Sequence, residues 1–401
     1  MKKFLSIALA LVLALGCLAG CGEPASTSTS AEATAAFKIG GTGPLTGGAA
    51  IYGTAVANAA KIAVEEINAK GGIQFELRFE DDAHDAEKAV NAYNTLKDWG
   101  MQIFLGSVTS APGVATSAEA NADNIFFLTP SGSSTDVLGG VADPLTGTVS
   151  IPRKNNIFQV CFTDPNQGLA SAQYINDKAL GEKIAVIYKN DDVYSTGIYN
   201  SFKAKADELN LNIVSTTTFT EDSKTDFSVQ IAAAKDAGAD LIFLPMYYEA
   251  AALILTEANK IGYAPKFFGV DGMDGILAVE GFDTSLAEGV MLLTPFAADA
   301  EDEATKNFVA KYQAAYGEIP NQFAADAYDA VYAIAAALEN TGATTDMSAS
   351  DLCDKLVAEF TSETFSFDGL TGAAMTWSIT GEVSKAPKGM IIQNGAYVSM
   401  D

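Results

Sequence analysis

The chain has 401 residues and is 48% hydrophobic, enough for two domains of ordinary size with sizeable cores, which excludes a disordered chain. Fifty acidic residues against 24 basic give a net charge of −26, which repels nucleic acid and anionic lipid and argues against binding to either. A single histidine leaves no His pair for a zinc centre, and four cysteines leave no disulfide framework.

At the N-terminus, Lys2 and Lys3 precede the apolar run FLSIALALVLALG and then Leu18-Ala19-Gly20-Cys21. A charged start, a short apolar stretch and small residues read as an export signal, too short to span a membrane. The last four residues match the lipobox of bacterial lipoproteins, so residues 1–20 are expected to be removed and Cys21 lipidated. Cys17 is a poorer match to the same pattern, and a plain cleaved signal is the alternative. Residues 21–36 carry GEPASTSTSAEATAA, a composition expected of a flexible tether.

From Phe37 short apolar runs alternate with helical patterns. Strands are expected at 37–40, 75–80, 102–106 and 125–128; in the second, Phe75, Leu77 and Phe79 alternate as a sheet face requires. Val56, Ala60, Ala63 and Ile67 share one helical face, which Gly71-Gly72 ends. Asp85 is placed to cap the next helix, with Val90, Tyr93 and Leu96 turned inward. After an irregular stretch, 139–159, the pattern restarts with strands at 183–188, 211–217, 240–244 and 266–270 and helices near 196–209, 225–236 and 248–260. Helices near 302–316, 323–340 and 350–359 follow, then a strand-like tail, 389–398. Strand–helix alternation of this kind predicts two α/β lobes with Rossmann-like parallel sheets. Cys161 and Cys353 read as two separate buried thiols.

Ligands of open parallel sheets bind beyond the carboxyl ends of the strands. In the first half those loops are GTGPLTGG, SVTSAP and TPSGSS, uncharged and rich in hydroxyls and helix starts. In the second half they are NDDVYS, PMYYE and VDGMDG, rich in carboxylates and tyrosines. A donor-rich neutral wall suits an anionic group; an acidic, aromatic wall suits a cation on an apolar body.

The glycine-rich loop at 41–48 does not fit a nucleotide. A dinucleotide fingerprint starting at Gly41 needs glycine where Thr46 stands, and a phosphate loop starting at Gly43 needs lysine where Ala49 stands. No cofactor or metal is expected. His84, within EDDAHD, is read as lying on the approach to a helix, away from any strand's carboxyl end, and Asp81, Asp82 and Asp85 as a solvated helix-start cluster rather than a calcium loop.

GPLTGGAAIYG, VEEINAKGGI, FEDDAHDAEKAV, LTPSGSS, DPNQG, DDVYSTG, FFGVDG and QFAADAYDAV, in that order, resemble the extracellular solute-binding proteins of the leucine/isoleucine/valine-binding type. The resemblance implies a non-enzymatic, two-lobed type I periplasmic-binding fold that closes on an amino acid and delivers it to an ABC permease and its ATPase, acting as a monomer held to a bacterial membrane only through the lipid on Cys21. It implies that Ser110 and Ser133 meet the ligand carboxylate beside the backbone of Ser131 and Gly132. It places Asp271 against the ammonium group and Tyr52, Tyr194, Tyr247 and Phe323 on the aromatic walls. Two departures stand out: His84 and Thr109 occupy the positions of the family's cysteine pair, and Asp271 replaces a glutamate. Tyr248, Glu249, Asp274 and Asp326 add polar options nearby. Lobe 1 is expected to comprise 37–162 and 297–367, and lobe 2 163–296 and 368–401. The hinge crossings are expected at 162–164, 294–296 and 368–374. A sensor that signals through a partner, or a binder of an amide, nucleoside or aromatic acid, shares the same sequence features; a lipid-anchored hydrolase is disfavoured by the lone histidine.

Overall fold

The computed structural model describes residues 35–400, so the export signal, Cys21 and most of the tether lie outside the described residues. The first half runs β1 (Phe37–Gly43), α1 (Ala50–Lys70), β2 (Phe75–Asp81), α2 (Ala86–Asp98), β3 (Ile103–Leu105), α3 (Ser110–Asp123), β4 (Phe126–Thr129), α4 (Thr135–Leu138) and β5 (Ile157–Gln159). These strands form a parallel sheet in the order β2-β1-β3-β4-β5. The second half runs α5 (Asp164–Asp177), β6 (Ile184–Lys189), α6 (Val193–Leu209), β7 (Ile213–Phe219), α7 (Ser228–Asp236), β8 (Leu241–Leu244), α8 (Tyr248–Lys260), β9 (Lys266–Gly269) and β10 (Met291–Thr294). Helices α9 (Glu303–Tyr316), α10 (Gln322–Thr341) and α11 (Ala349–Phe360) follow, then the hairpin β11 (Lys388–Gln393) and β12 (Ala396–Ser399).

The second sheet has the order β12-β11-β10-β9-β8-β6-β7. It is parallel except at one edge, where the closing hairpin pairs antiparallel with β10 and with itself. Its central strands LIFL and MLLT are buried throughout, as parallel strands covered on both faces must be. Strands β5 and β10 are not expected from the sequence: β5 lies inside the stretch read as irregular, and β10 follows a run of short turns after β9.

Helices are started by their own first residues. Asp85, Asp192, Asp302, Asn321 and Ser348 each accept a backbone N–H of the turn they precede. Because each helix after a strand starts at that strand's carboxyl end, the N-termini of α3, α6 and α8 face the space between the sheets.

The chain passes between the sheets three times: after β5, after β10 and before β11. The third passage is later than the expected 368–374. Met375, Trp377 and Val383 are buried with the first sheet, and Trp377 Nε1 donates to the Gln159 carbonyl at 2.8 Å. Residues 368–383 therefore belong with lobe 1, because the indole finds its core and its acceptor there. The passage is pinned by Lys385, whose Nζ lies 2.6 Å from Asp326 Oδ1 and 2.6 Å from Thr371 Oγ1 in a fully buried pair. Asp329 beside it accepts the N–H groups of Leu370 and Thr371 and the Thr371 hydroxyl. Cys161 and Cys353 are separate buried thiols.

Candidate functional site

The first wall is assembled from the starts of α3 and α4. Ser110, Ser131 and Ser133 are all buried there. Ser131 spends its hydroxyl on the Val108 carbonyl at 2.6 Å, and the N–H groups of Ser131 and Gly132 donate to Thr129 Oγ1 at 3.3 and 2.8 Å. Ser110 Oγ accepts the Ser134 N–H at 3.2 Å, which leaves its own proton to give. Ser133 receives Asp164 N–H on its carbonyl at 3.0 Å. Of the serines expected here, Ser110 keeps a hydroxyl proton for a ligand, the Ser133 hydroxyl lies beside the Asp164 carboxylate, and Ser131 and Gly132 serve the loop. The glycine-rich turn is likewise satisfied from within: Asp81 accepts the N–H groups of Leu45 and Thr46 and the Thr46 hydroxyl.

The second wall carries Asp271, Tyr194 and Tyr247. Asp271 is 3% exposed; its Oδ1 accepts the Tyr194 hydroxyl at 2.5 Å and its N–H donates to Gln167 Oε1 at 3.2 Å. Burial pushes its carboxyl up to about 7, against the opposing pull of Tyr194 and Gln167. The Tyr194 and Tyr247 rings stack with centroids 4.6 Å apart. The next residue must be glycine, because a Cβ on Gly272 would sit 2.5 Å from Tyr194 Oη. The Gly272 N–H in turn donates to that oxygen at 2.9 Å.

Tyr52 and Phe323 join the walls. The Tyr52 hydroxyl donates to the Gly272 carbonyl across the lobes and accepts the Tyr248 N–H at 3.3 Å. Its ring lies 4.5 Å from Phe323, 4.8 Å from Tyr248 and 5.6 Å from Tyr247. Gln322, beside Phe323, reaches over in the same way: its N–H donates to Asp274 Oδ2 and its Nε2 to the Asp271 carbonyl, both at 2.9 Å.

Two polar residues near the site have partners within the fold, a lysine in one case and a neutral N–H in the other. Asp326 belongs to Lys385, and Asp274 to Gln322. Tyr248 contributes a ring edge to Tyr52, and Glu249 is exposed beside Gly48.

His84 is not where the sequence puts it. It stands three residues past the end of β2, at that strand's carboxyl end, and its ring meets Tyr247 edge-on at 5.4 Å. Its Nδ1 lies 2.8 Å from Thr109 Oγ1, so a hydrogen bond joins the two positions that hold cysteines in the resembling family. Burial pushes the imidazole down to about 4, which keeps it neutral near pH 7. The neighbouring acids are not uniformly solvated either. Asp85 is an exposed cap, but Asp82 is fully buried and pushed up to about 7, chiefly by that burial.

Asp164 is the residue that sequence reading missed. It opens α5, is 1% exposed, and neither carboxylate oxygen has a hydrogen-bond partner among the described residues. Burial raises its pKa, the Ser133 hydroxyl beside it pulls the other way, and the charge of Asp271 adds to the rise. Helix α6 presses close above it only because position 197 is glycine: a Cβ there would lie 2.9 Å from Asp164 Oδ2. The Tyr247 hydroxyl, near the Ser110 backbone, and Gln167 Nε2, near the Asp271 carboxyl, are also buried without a well-formed hydrogen bond. Unpaired buried carboxylates are costly, and their concentration at one place marks where a ligand's donors belong. The DPNQG segment was the available signal, but it reads equally well as a hinge passage.

Among the described residues no helix is long and apolar enough to cross a membrane. Residues 36–387 match the family model of the periplasmic binding proteins. The Leu/Ile/Val-binding protein homolog 3 of Brucella melitensis is 29% identical over 334 residues, covering 81% of this chain and 84% of that protein. The leucine-, isoleucine-, valine-, threonine- and alanine-binding protein of Pseudomonas aeruginosa is 25% identical over 76% of this chain and 79% of its own. Among solved structures, the branched-chain amino acid transporter substrate-binding protein LivJ of Streptococcus pneumoniae, in complex with isoleucine, is 26% identical with a TM-score of 0.79. It covers 91% of this chain and 98% of its own. The leucine-binding protein LivK of Thermotoga maritima is also 26% identical, with a TM-score of 0.77 over the same shares. With its two α/β sheets, its inter-sheet cleft and a match over nearly all described residues, the chain belongs to the periplasmic binding protein family, in its type I arrangement.

Proposed function

We propose that this protein is the extracytoplasmic substrate-binding component of an ABC importer, and that it captures an α-amino acid of the branched-chain class or a similar amine-bearing solute. The observation that carries this reading is a pair of buried acids without a cation, Asp271 with only neutral partners and Asp164 with no more than the Ser133 hydroxyl beside it, close to the helix starts of α3 and α4. A zwitterion completes both walls: its ammonium lies between Asp271 and Asp164, and its carboxylate meets Ser110 and Ser133 at the N-terminus of α3. Tyr52, Tyr194, Tyr247 and Phe323 supply apolar surface for the remaining chain. The names of the relatives support the same class of solute.

A ligand that touches both walls stabilises the joined lobes by its differential contacts, and that joined state is what the permease receives. The protein binds its solute without turning it over, in keeping with its family. Cys21 carries the lipid anchor; Cys21→Ser then moves the protein from the membrane fraction to the soluble one. The principal test is thermal unfolding of ligand-stripped protein against a panel of amino acids. A true ligand at about 100 times its Kd raises stability by about 2.7 kcal/mol. No shift with any amino acid, alongside a shift with an amide, nucleoside or aromatic acid, sinks the amino-acid reading.

A further inference from the structure

A second concavity of about 620 Å³ opens between the lobes, and none of Ser110, Ser133, Tyr194, Tyr247 or Asp271 lines it. Lobe 1 contributes Ile51 at the start of α1 and Ile319 in the loop before α10; lobe 2 contributes Leu277 and, from the closing hairpin, Tyr397. Its size is that of a small-molecule site, about 300–1,000 Å³. Its lining includes three carboxylates, Asp274, Asp299 and Glu318, and no lysine or arginine. Ile319 is 63% exposed at the rim, an apolar side chain left facing water.

We propose that this groove is a second binding site, for a small organic cation with a protonated amine on an apolar body. The charge excludes anions, which would meet three carboxylates with no counter-charge. The apolar walls offer nothing to a bare metal ion, whose oxygen ligands would have to close around it. An ammonium group beside Asp274 with hydrocarbon along Ile51, Leu277 and Ile319 satisfies both features at once. Asp274 is the buried acid of the three, 7% exposed; burial raises its carboxyl to about 6 against hydrogen bonds from Gln322, Tyr397 and Gly275, all neutral, so an ammonium would supply the only counter-charge. The site also adjoins the cleft. Asp274 accepts the Gln322 N–H, and the Gln322 side chain holds the Asp271 carbonyl, so an occupant would touch both lobes one residue away from the ammonium-binding acid's own support.

The test is calorimetric titration of the ligand-stripped full chain with 2-phenylethylamine and with its neutral counterpart 2-phenylethanol. The amine binds at least tenfold more tightly than the alcohol, and it binds Asp271→Asn as it binds the parent protein, because the groove does not use the cleft acid. Asp274→Asn weakens the amine at least tenfold. Ala278→Trp, at an exposed position on the groove wall, blocks it by volume without disturbing the core and serves if Asp274→Asn fails to fold. Three outcomes overturn the proposal: no amine binding at millimolar concentration, amine binding that Asp271→Asn abolishes, or amine binding that Ala278→Trp leaves unchanged. The second of these would place the amine in the cleft and leave the amino-acid reading standing.

Discussion

The two walls of the cleft solve opposite problems. On the first, many polar groups are answered by the protein itself: Thr129 takes two N–H groups, Val108 takes the Ser131 hydroxyl, and Asp81 takes the glycine-rich turn. On the second, carboxylates and phenols are stripped of water and left incompletely paired. An uncharged wall can be finished in advance because hydroxyls and helix starts cost little to satisfy locally. An acidic wall is harder to finish, since a buried carboxylate needs several donors or a cation, and Asp271 and Asp164 lack them. On the function proposed above, selectivity for an amine is concentrated on the acids, and the hydroxyls supply position.

The comparison breaks most readily at Asp271. Asp271→Ala should cost about 2–5 kcal/mol of binding, roughly 30-fold to several thousand-fold in Kd, measured calorimetrically. A loss within threefold would mean that the ammonium sits elsewhere. Asp164→Asn should weaken binding by about 1.5–3 kcal/mol, the worth of a hydrogen bond to a charged group. The ligand-free Tm should stay level or rise, because the substitution removes an unpaired buried charge; a fall in Tm would show that Asp164 is structural. Ser133→Ala should cost about tenfold in Kd.

The pH dependence follows from the same asymmetry. Asp271 titrates near 7 in the free protein and must be ionised to hold an ammonium. Affinity is therefore full above pH 8 and falls as the pH drops through 7, by about tenfold at pH 6, with protons released on binding. Asp271→Asn should flatten that profile. His84, already neutral above about 4, should add nothing over this range. The smallest effect belongs to Ser131→Ala: under about threefold in Kd, with about 0.5–1.5 kcal/mol of stability lost from the Val108 contact, read by denaturant titration. A large loss of binding there would show that the first wall is not finished in advance.

Much of this was legible in the sequence. The run LIFL is a strand because four consecutive buried apolar residues suit a covered parallel sheet, and the helix expected at 248–260 is α8. The uncharged and acidic characters of the two sets of loops were readable directly. Strands β5 and β10 were not, because each follows an irregular connection of short turns rather than the long helix that marks the alternation elsewhere. Nor was the late third passage, since nothing local tells Trp377 which sheet will cover it.

Composition and spacing by themselves determined two α/β lobes, a cleft lined by the loops after their strands, and walls of opposite chemistry, because period and residue type act locally. The tertiary structure decided which polar groups were already taken. Asp326 is spent on Lys385, 59 residues away, and Ser131 on Val108, 23 away, while Asp164 is left bare. Whether a buried group is free to meet a ligand depends on which distant partner the fold brings within about 3 Å, and no stretch of sequence contains that distance.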